Sequence, residues 1–385
     1  MTSPSSLRNL WSLDPFTTYL NHGSFGPSPR VVQDARAEMT ARLESQPMDF
    51  FLRELPPLLD EVRRRLGEFL HAPAADLTLI DNATFAMNVV AESFELSPAD
   101  EVLLNDHEYG AVLRIWERAC RRSGAQLTQA AIAVPIASPE EVVQQLFAAA
   151  TARTRLIVIS HITSPTAILF PIEAVCREAR RRGIAVCIDG PHAPGMVEID
   201  LTKLDCDYYA ASCHKWLAAP FGSGFLYVHP RQQAAIEPIA RSWGRAPSYR
   251  PKEWCDEFLW AGTRDPAPFL AIPTALDFLA KFGLQAFRAQ THELARYARE
   301  RLMSWAGHGA LTPDSADWYG SMVAVPIAPG ECQPLQDALW AEHQIEVPIV
   351  PWNGRRLVRV SCHLYNDREE IDRLMAALEK LVESA

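Results

Sequence analysis

The stretch SCHKWLAAPFGSGFLYV, residues 212–228, holds one lysine, Lys215, among small and apolar side chains. A lysine ammonium is costly to take out of water, so on position alone Lys215 reads as a solvated charge at a strand end. Asp189 closes the apolar run AVCID directly before Gly190, 26 residues upstream. Open α/β sheets bind ligands beyond the carboxyl ends of their strands, so this acid is either a turn cap or a group aimed at a ligand. Together the two residues match one cofactor. Pyridoxal phosphate (PLP) needs a lysine for its Schiff base and a carboxylate to keep its pyridine nitrogen protonated, which makes the ring an electron sink. Apolar surroundings would lower the pKa of Lys215 and supply the neutral amine that imine chemistry needs.

A phosphate would then need donors. NATFAMNVV (82–90) sets Thr84 at the start of an apolar helical pattern, where free N–H groups and the helix dipole favour an anion. A threonine N-cap without any ligand accounts for the same residues. Ser212 and His214, beside Lys215, would add a hydroxyl and an imidazole.

These residues need a scaffold, and the middle of the chain supplies one by alternating strand and helix patterns. EVLLND (101–106), TRLIVISHI (154–162), IAVCIDG (184–190), CDYYAASC (206–213) and GFLYV (224–228) read as strands. GAVLRIWERACRRSG (110–124) and PIEAVCREARRRG (171–183) read as helices stopped by glycine, the second opened by proline. The run Arg180-Arg181-Arg182 suits the negative end of that helix. Continuous apolar strands separated by helices predict an α/β fold with a largely parallel sheet covered on both faces. After about residue 262 come two long helical stretches (268–282 and 284–305), then short strands near 321–327, 345–350 and 356–361. A last helix begins near 367, which makes a smaller C-terminal α+β domain. The predicted organisation is an N-terminal segment 1–18, a large domain 19–262 and a small domain 263–385. A Pro/Gly/Trp-rich link spans 242–268, and its Trp243, Trp254 and Trp260 are packing residues or part of a pocket wall.

The 385 residues are 48% hydrophobic and 22% charged, with mean hydropathy near zero, as in a folded soluble protein. A net charge of −10 argues against nucleic acid as a partner. No apolar run approaches a membrane span, and the N-terminus lacks the apolar core of a signal peptide. The eight cysteines form no CxxC pair and no Cys/His ligand spacing, so no metal site and no disulfide framework are expected. A reducing, cytoplasmic location is the expectation.

Five segments in order carry a family resemblance: YLNHGSFGPSP (19–29), SHITSPTAILFPI (160–172), DGPHAPG (189–195), SCHKWLAAPFGSGFLYV (212–228) and GTRDPAPF (262–269). Together they resemble the class V aminotransferase superfamily of PLP enzymes, most of all its isopenicillin N epimerase-like branch. The resemblance implies the type I PLP-dependent fold, with a mainly parallel central sheet of the seven-stranded type. It assigns Lys215 to the Schiff base, Asp189 to the pyridine nitrogen and His192 to the phenolic oxygen. Tyr109, in DHEYG, matches an aromatic stacked on the cofactor face. Thr84, Phe85, Ser212 and His214 match phosphate contacts, and Thr263 matches a residue reaching the phosphate from the partner subunit. That last match implies a homodimer with a shared active site. Arg359, in LVRVS, matches the clamp on the substrate α-carboxylate, a task for which a planar guanidinium is suited. Asn21, His22 and Arg264 are further candidates for the substrate pocket, while His22 and His107 serve equally well as structural hydrogen-bonding residues.

PLP fixes the first steps, and the pocket decides the later ones. A classical cysteine desulfurase needs a nucleophilic cysteine on a loop before the carboxylate arginine. Residues 344–358 contain none, and Cys332 and Cys362 lie outside that segment. The expected function is abstraction of the α-proton of an amino-acid substrate by an epimerase. The alternatives are a C–S or C–N lyase acting by β-elimination, a cysteine desulfurase-like or aminotransferase activity, and a binding protein that keeps the fold without catalysis. Epimerisation requires a proton removed from one face and returned to the other. Lys215 can serve one face, and Tyr109 or a bound water the second.

Overall fold

The computed structural model describes residues 7–242, 244 and 253–383. Residues 1–6, Trp243 and part of the 242–268 link therefore lie outside the described residues. The chain enters through β1 (Thr18–Tyr19), then helices α1 (Arg30–Ser45) and α2 (Leu55–Leu70). The alternation expected from the sequence comes next: β2 (Leu77–Ile80), α3 (Ala83–Ser93), β3 (Glu101–Asn105), α4 (Gly110–Ser123), β4 (Gln126–Ala130), α5 (Pro139–Ala148) and β5 (Thr154–Ser160). It continues with α6 (Ile172–Arg182), β6 (Ala185–Asp189), β7 (Tyr208–Ser212) and β8 (Gly224–Val228).

One seven-stranded sheet has the order β2-β8-β7-β6-β5-β3-β4. The five strands from β4 to β7 run parallel, and β8 is antiparallel to both of its neighbours. The sheet explains why the strands read as unbroken apolar runs. In β5, Leu156 and Val158 belong to one buried cluster while Ile157 and Ile159 belong to another across the sheet. Cys187 against Val186 and Ile188, and Tyr208 and Ala210 against Tyr209 and Ala211, divide in the same way. Successive side chains point to opposite faces, and helices bury both.

The stops also obey local rules. Helices α4 and α6 end at Gly124 (φ +76°) and Gly183 (φ +69°), both left-handed. The stretch expected as one helix over 268–282 is two, Ala267–Leu270 and α7 (Ile272–Phe282). Pro273 has no N–H for the carbonyl four residues back, so the first piece ends at Ala271. Gly283 then turns the chain by 76° into α8 (Leu284–Ala306).

Three antiparallel strands in the order β11-β12-β9 make the second sheet: β9 (Met322–Ile327), β11 (Ile349–Trp352) and β12 (Arg355–Ser361). It packs with α8 and α9 (Cys332–His343), and α10 (Arg368–Glu383) lies against those two helices. β10 (Ile345–Glu346) pairs in parallel with β1, and Asn21 bridges to Ser361. The N-terminal segment thus runs along the C-terminal sheet before residues 21–26 reach the carboxyl rim of the large sheet. No single helix among the described residues is long and apolar enough to cross a membrane.

Candidate active site

The carboxyl ends of β3, β5, β6 and β7 share one rim, and they deliver Tyr109, Ser164, Asp189, His192, Ser212, His214 and Lys215 to one cavity of about 510 Å³. β12 adds Arg359, the segment after β1 adds Gly23, Ser24 and Phe25, and the start of α3 adds Thr84.

Lys215 lies three residues beyond the end of β7. Loss of solvation, helped by the Arg359 guanidinium and opposed by Asp189, pulls its amine down to about 7. Its Nζ is 3.2 Å from His192 Nε2. The indole N–H of Trp216 can only donate, and it points at His192 Nδ1 from 3.4 Å. Nδ1 is therefore the acceptor, so the neutral ring carries its proton on Nε2, the nitrogen facing the lysine. Burial, reinforced by the nearby cations, holds His192 well below the usual histidine range.

Asp189 is buried at the end of β6, and no described residue donates a hydrogen bond to its carboxylate. Burial pushes it up to about 7 against the pull of Lys215. A bare buried carboxylate is unstable without a cationic partner.

Arg359 is buried on β12, and desolvation brings it down to about 10. Its Nη1 donates to the Ser164 carbonyl (2.7 Å) and hydroxyl (3.1 Å), and its Nη2 to the Ser24 hydroxyl (2.7 Å). These acceptors are neutral, no carboxylate among the described residues pairs with the guanidinium, and its buried Nε has no partner. The group is oriented and lacks only an anion.

At the other end of the cavity Asn82 caps α3 by accepting from the Phe85 N–H, and Ser212 Oγ accepts from the Ala83 N–H. His214 adds a buried Nδ1 with no partner. A helix N-terminus, a hydroxyl and an open imidazole nitrogen are the donor set a phosphate requires. With a neutral amine in Lys215, a bare acid in Asp189 and a ring N–H in His192, the residues fit pyridoxal phosphate.

Other residues expected at the site lie elsewhere. Phe85 spends its N–H on the cap, and its side chain lines a separate recess of about 280 Å³ with Thr263 and Arg264, whose guanidinium pairs with Asp81. Asn21 points away, donating to Glu346 (3.1 Å). His22 is off the cavity wall: it is fully buried behind Lys215, with Nε2 3.0 Å from the Lys215 carbonyl and Nδ1 2.9 Å from the Tyr365 hydroxyl. His107 is equally engaged, with Thr166 and the Ile132 carbonyl. Tyr109, by contrast, stays on the cavity wall, half-exposed just before α4. Cys362 is fully buried and Cys332 opens α9, so no thiol lines the cavity among the described residues.

Three contributors had no distinguishing sequence signal. Ser24 and Ser164 sit inside the motifs NHGSFG and SHITSPT, where nothing marks them as partners of Arg359. Glu108, inside DHEYG, accepts from the Ser160 N–H (2.9 Å), the Ser160 hydroxyl (2.6 Å) and the Asn105 amide. Burial pushes it up to about 8, with Asp189 adding to the effect.

Comparison with known proteins agrees with this geometry. The family model Aminotransferase class-V matches residues 28–374. The chain is 41% identical to the isopenicillin N epimerase of Amycolatopsis lactamdurans, covering 99% of both chains. It is 39% identical to that of Streptomyces clavuligerus, covering 96% of both. A solved structure of the cystine C–S lyase C-DES with cysteine persulfide superposes with a TM-score of 0.82 at 23% identity, covering 94% of this chain and 97% of that one; it shares the fold.

Proposed function

The chain belongs to the class V aminotransferase family, whose members are PLP-dependent enzymes, and on that footing we propose that it is an epimerase of an amino-acid α-carbon. The observation that carries the reading is the 41% identity, end to end, with an isopenicillin N epimerase, in a chain whose cavity sets Lys215 and Tyr109 around one pocket with no thiol among its described lining residues.

Bound pyridoxal phosphate supplies an electron sink for the carbanion left when an α-proton is removed. The protein supplies the rest. Lys215 would hold the cofactor, and its amine, pulled down to about 7, is able to take a proton near neutral pH. Asp189 would meet the ring nitrogen, and His192 would offer Nε2–H to the phenolic oxygen. Arg359, steered by Ser24 and Ser164, holds the substrate carboxylate. Tyr109 lies just beyond β3, three strands from β7, or about 14 Å at the usual strand spacing. It enters the cavity from the far side of Asp189 and returns the proton to the other face of the α-carbon.

Thr263 stands apart from the Lys215 cavity, beside Phe85 in the second recess, while Phe25 and Tyr109 are exposed on the cavity wall. Both features support a homodimer in which each subunit completes the other's phosphate site. The eight unpaired cysteines fit a reducing cytoplasm.

A β-eliminating lyase begins with the same proton abstraction and needs no thiol of its own, which makes it the second reading. Incubation with L- and D-amino acids in deuterated water separates the two. Racemisation with α-deuteration supports the epimerase, and release of a keto acid with ammonia or thiol supports the lyase. Accumulation of pyridoxamine phosphate rescued by a keto acid would show a transaminase, and no exchange with any substrate would overturn the reading.

A further inference from the structure

Glu108 takes no part in the chemistry above, yet it is the most elaborately held acid near the cavity. Its carboxylate accepts from the Ser160 N–H, the Ser160 hydroxyl and the Asn105 amide. Ser160 is the register partner of Asp189 across β5 and β6. The hydrogen bonds to Ser160 therefore hold Glu108 one strand away from the bare carboxylate of Asp189.

The ionisable groups around Glu108 are few. From its own turn, Asp106 faces the Ile132 N–H and the Asn353 amide, His107 is neutral with both ring nitrogens engaged, and Tyr109 faces the cavity. From β5, His161 turns to the Tyr209 hydroxyl. From β6 comes Asp189, and the cations Lys215 and Arg359 stand across the cavity. No ammonium or guanidinium pairs with Glu108 among the described residues, so Asp189 is the charge that acts on it.

We propose that Glu108 is a positioning residue for the nitrogen end of the cofactor, a second carboxyl that acts through Asp189 without touching the ring. The proposal rests on Asp189 meeting the ring nitrogen. Desolvated carboxyls on either side of this strand pair repel, and each makes the other's ionisation harder. With a cationic ring nitrogen against Asp189 that acid would be charged, and Glu108 would keep its own proton until the pH rises. The three donors around Glu108 are arranged to receive the anion. Its ionisation places a second negative charge behind the ring nitrogen, which then keeps its proton to higher pH. The electron sink stays switched on in the alkaline range, where Asp189 alone would begin to lose it.

The test is a pH titration of the cofactor's visible absorbance in the purified holoenzyme, with the PLP dissociation constant of the apo-protein measured over the same range. Glu108→Gln keeps an acceptor for Ser160 and removes the charge. Its absorbance transition is expected at lower pH by about one unit, the effect of one charge at about 10 Å in an effective dielectric of about 20. Its PLP affinity is expected to match the wild type below pH 6 and to fall about tenfold behind above pH 8. Ser160→Ala, which strips one donor from the anion, shifts the transition the same way by less. Superimposed curves for Glu108→Gln and wild type would overturn the proposal. Should Glu108→Gln lose the cofactor, Ser160→Ala decides, and an unshifted curve there overturns it equally. Asp189→Asn separates the premise from the proposal. If it leaves the titration unchanged, the ring-nitrogen reading fails first. If it shifts the titration while Glu108→Gln does not, only the role of Glu108 falls.

Discussion

The imidazole of His22 sits 3.0 Å from the carbonyl oxygen of Lys215, and the other ring nitrogen sits 2.9 Å from the Tyr365 hydroxyl. A carbonyl can only accept, so Nε2 carries the proton and Nδ1 receives the tyrosine O–H. Burial keeps the ring neutral, its pKa brought down to about 3, and it stacks on His363 at 4.1 Å. Two residues on, Ser24 holds Arg359. The segment 21–26 therefore grips the backbone of Lys215 and the guanidinium of Arg359 at once, the two groups proposed to hold cofactor and substrate. A β-carbon on Gly26 would lie 2.6 Å from both the His214 carbonyl and His22 Nε2, so the close approach requires glycine.

This grip predicts a selective defect. His22→Phe keeps the ring stack but loses both hydrogen bonds, freeing the turn that aims Lys215. The expected outcome is a fall in kcat of about 10- to 100-fold with KM within about twofold, since small misplacements of a reacting group are costly and Arg359 is untouched. His22→Gln, which can still donate to the carbonyl, should recover much of the loss. Steady-state kinetics check this, and equal damage by both variants would reduce His22 to a packing residue.

How much of this was legible in the sequence depends on which contacts are local. The strands β5 to β8 announce themselves because both faces are buried, whereas β4, QLTQA, is a polar edge whose pattern does not declare a strand. Asp189 and Lys215 could be read from strand ends, and His192 from the family resemblance. Glu108 could not, because its importance arises from Ser160, 52 residues away, and from the β5–β6 register. Histidines near the site could be noted, but whether His22 faced the pocket or the lysine carbonyl depended on where the C-terminal Tyr365 and His363 came to rest. Ser24 and Ser164 are small polar residues in glycine- and proline-containing turns, and only the fold brings them to Arg359.

Arg359 should reveal itself through substrate affinity. Replacing it with leucine removes the only guanidinium on the cavity wall among the described residues. A charge-assisted hydrogen bond contributes about 1.5–3 kcal/mol, which corresponds to KM raised roughly 10- to 100-fold for substrates with a free α-carboxylate. Ser164→Ala leaves the charge and loses one of its guides, so a rise of about three- to tenfold is expected. The corresponding amino-acid amides should be nearly indifferent to both changes, and a KM for the parent substrates that Arg359→Leu leaves unchanged would remove the carboxylate assignment.

The amine of Lys215 should betray its setting during reconstitution. With its pKa pulled down from 10.5 to about 7, it is neutral above that pH. The rate of PLP uptake by the apo-protein is expected to rise with pH through about 7 and then level off. A lysine with an ordinary pKa would keep accelerating by tenfold per unit towards pH 10. Lys215→Ala should show no lysine-linked absorbance band and lose about 10³-fold or more in kcat. A band that persists in the variant until denaturation would place the covalent link elsewhere.

The buried acids make the apo-protein's stability depend on pH with a definite sign. Glu108 and Asp189 have folded-state pKa values of about 8 and about 7, raised above their ordinary values of 4.5 and 3.8. Between those limits the folded state holds more protons than the unfolded chain, so these groups lower stability as pH rises through the window. Lys215 acts in the opposite direction from about 7 to 10.5, where the unfolded chain holds the extra proton. The melting temperature of the apo-protein should therefore fall from about pH 5 towards pH 7 to 8, and the fall should flatten above that range. Glu108→Gln cannot ionise, so its melting curve should decline less over the acidic half and exceed the wild type near pH 8. On the proposed placement, bound PLP would set a cation against Asp189 and remove part of its penalty, so the holoenzyme should show the shallower profile even without a substitution. Calorimetry of the apo and holo forms from pH 5 to 9 measures all three curves, and an apo wild type whose stability rises steadily from pH 5 to 8 would contradict the burial of these acids.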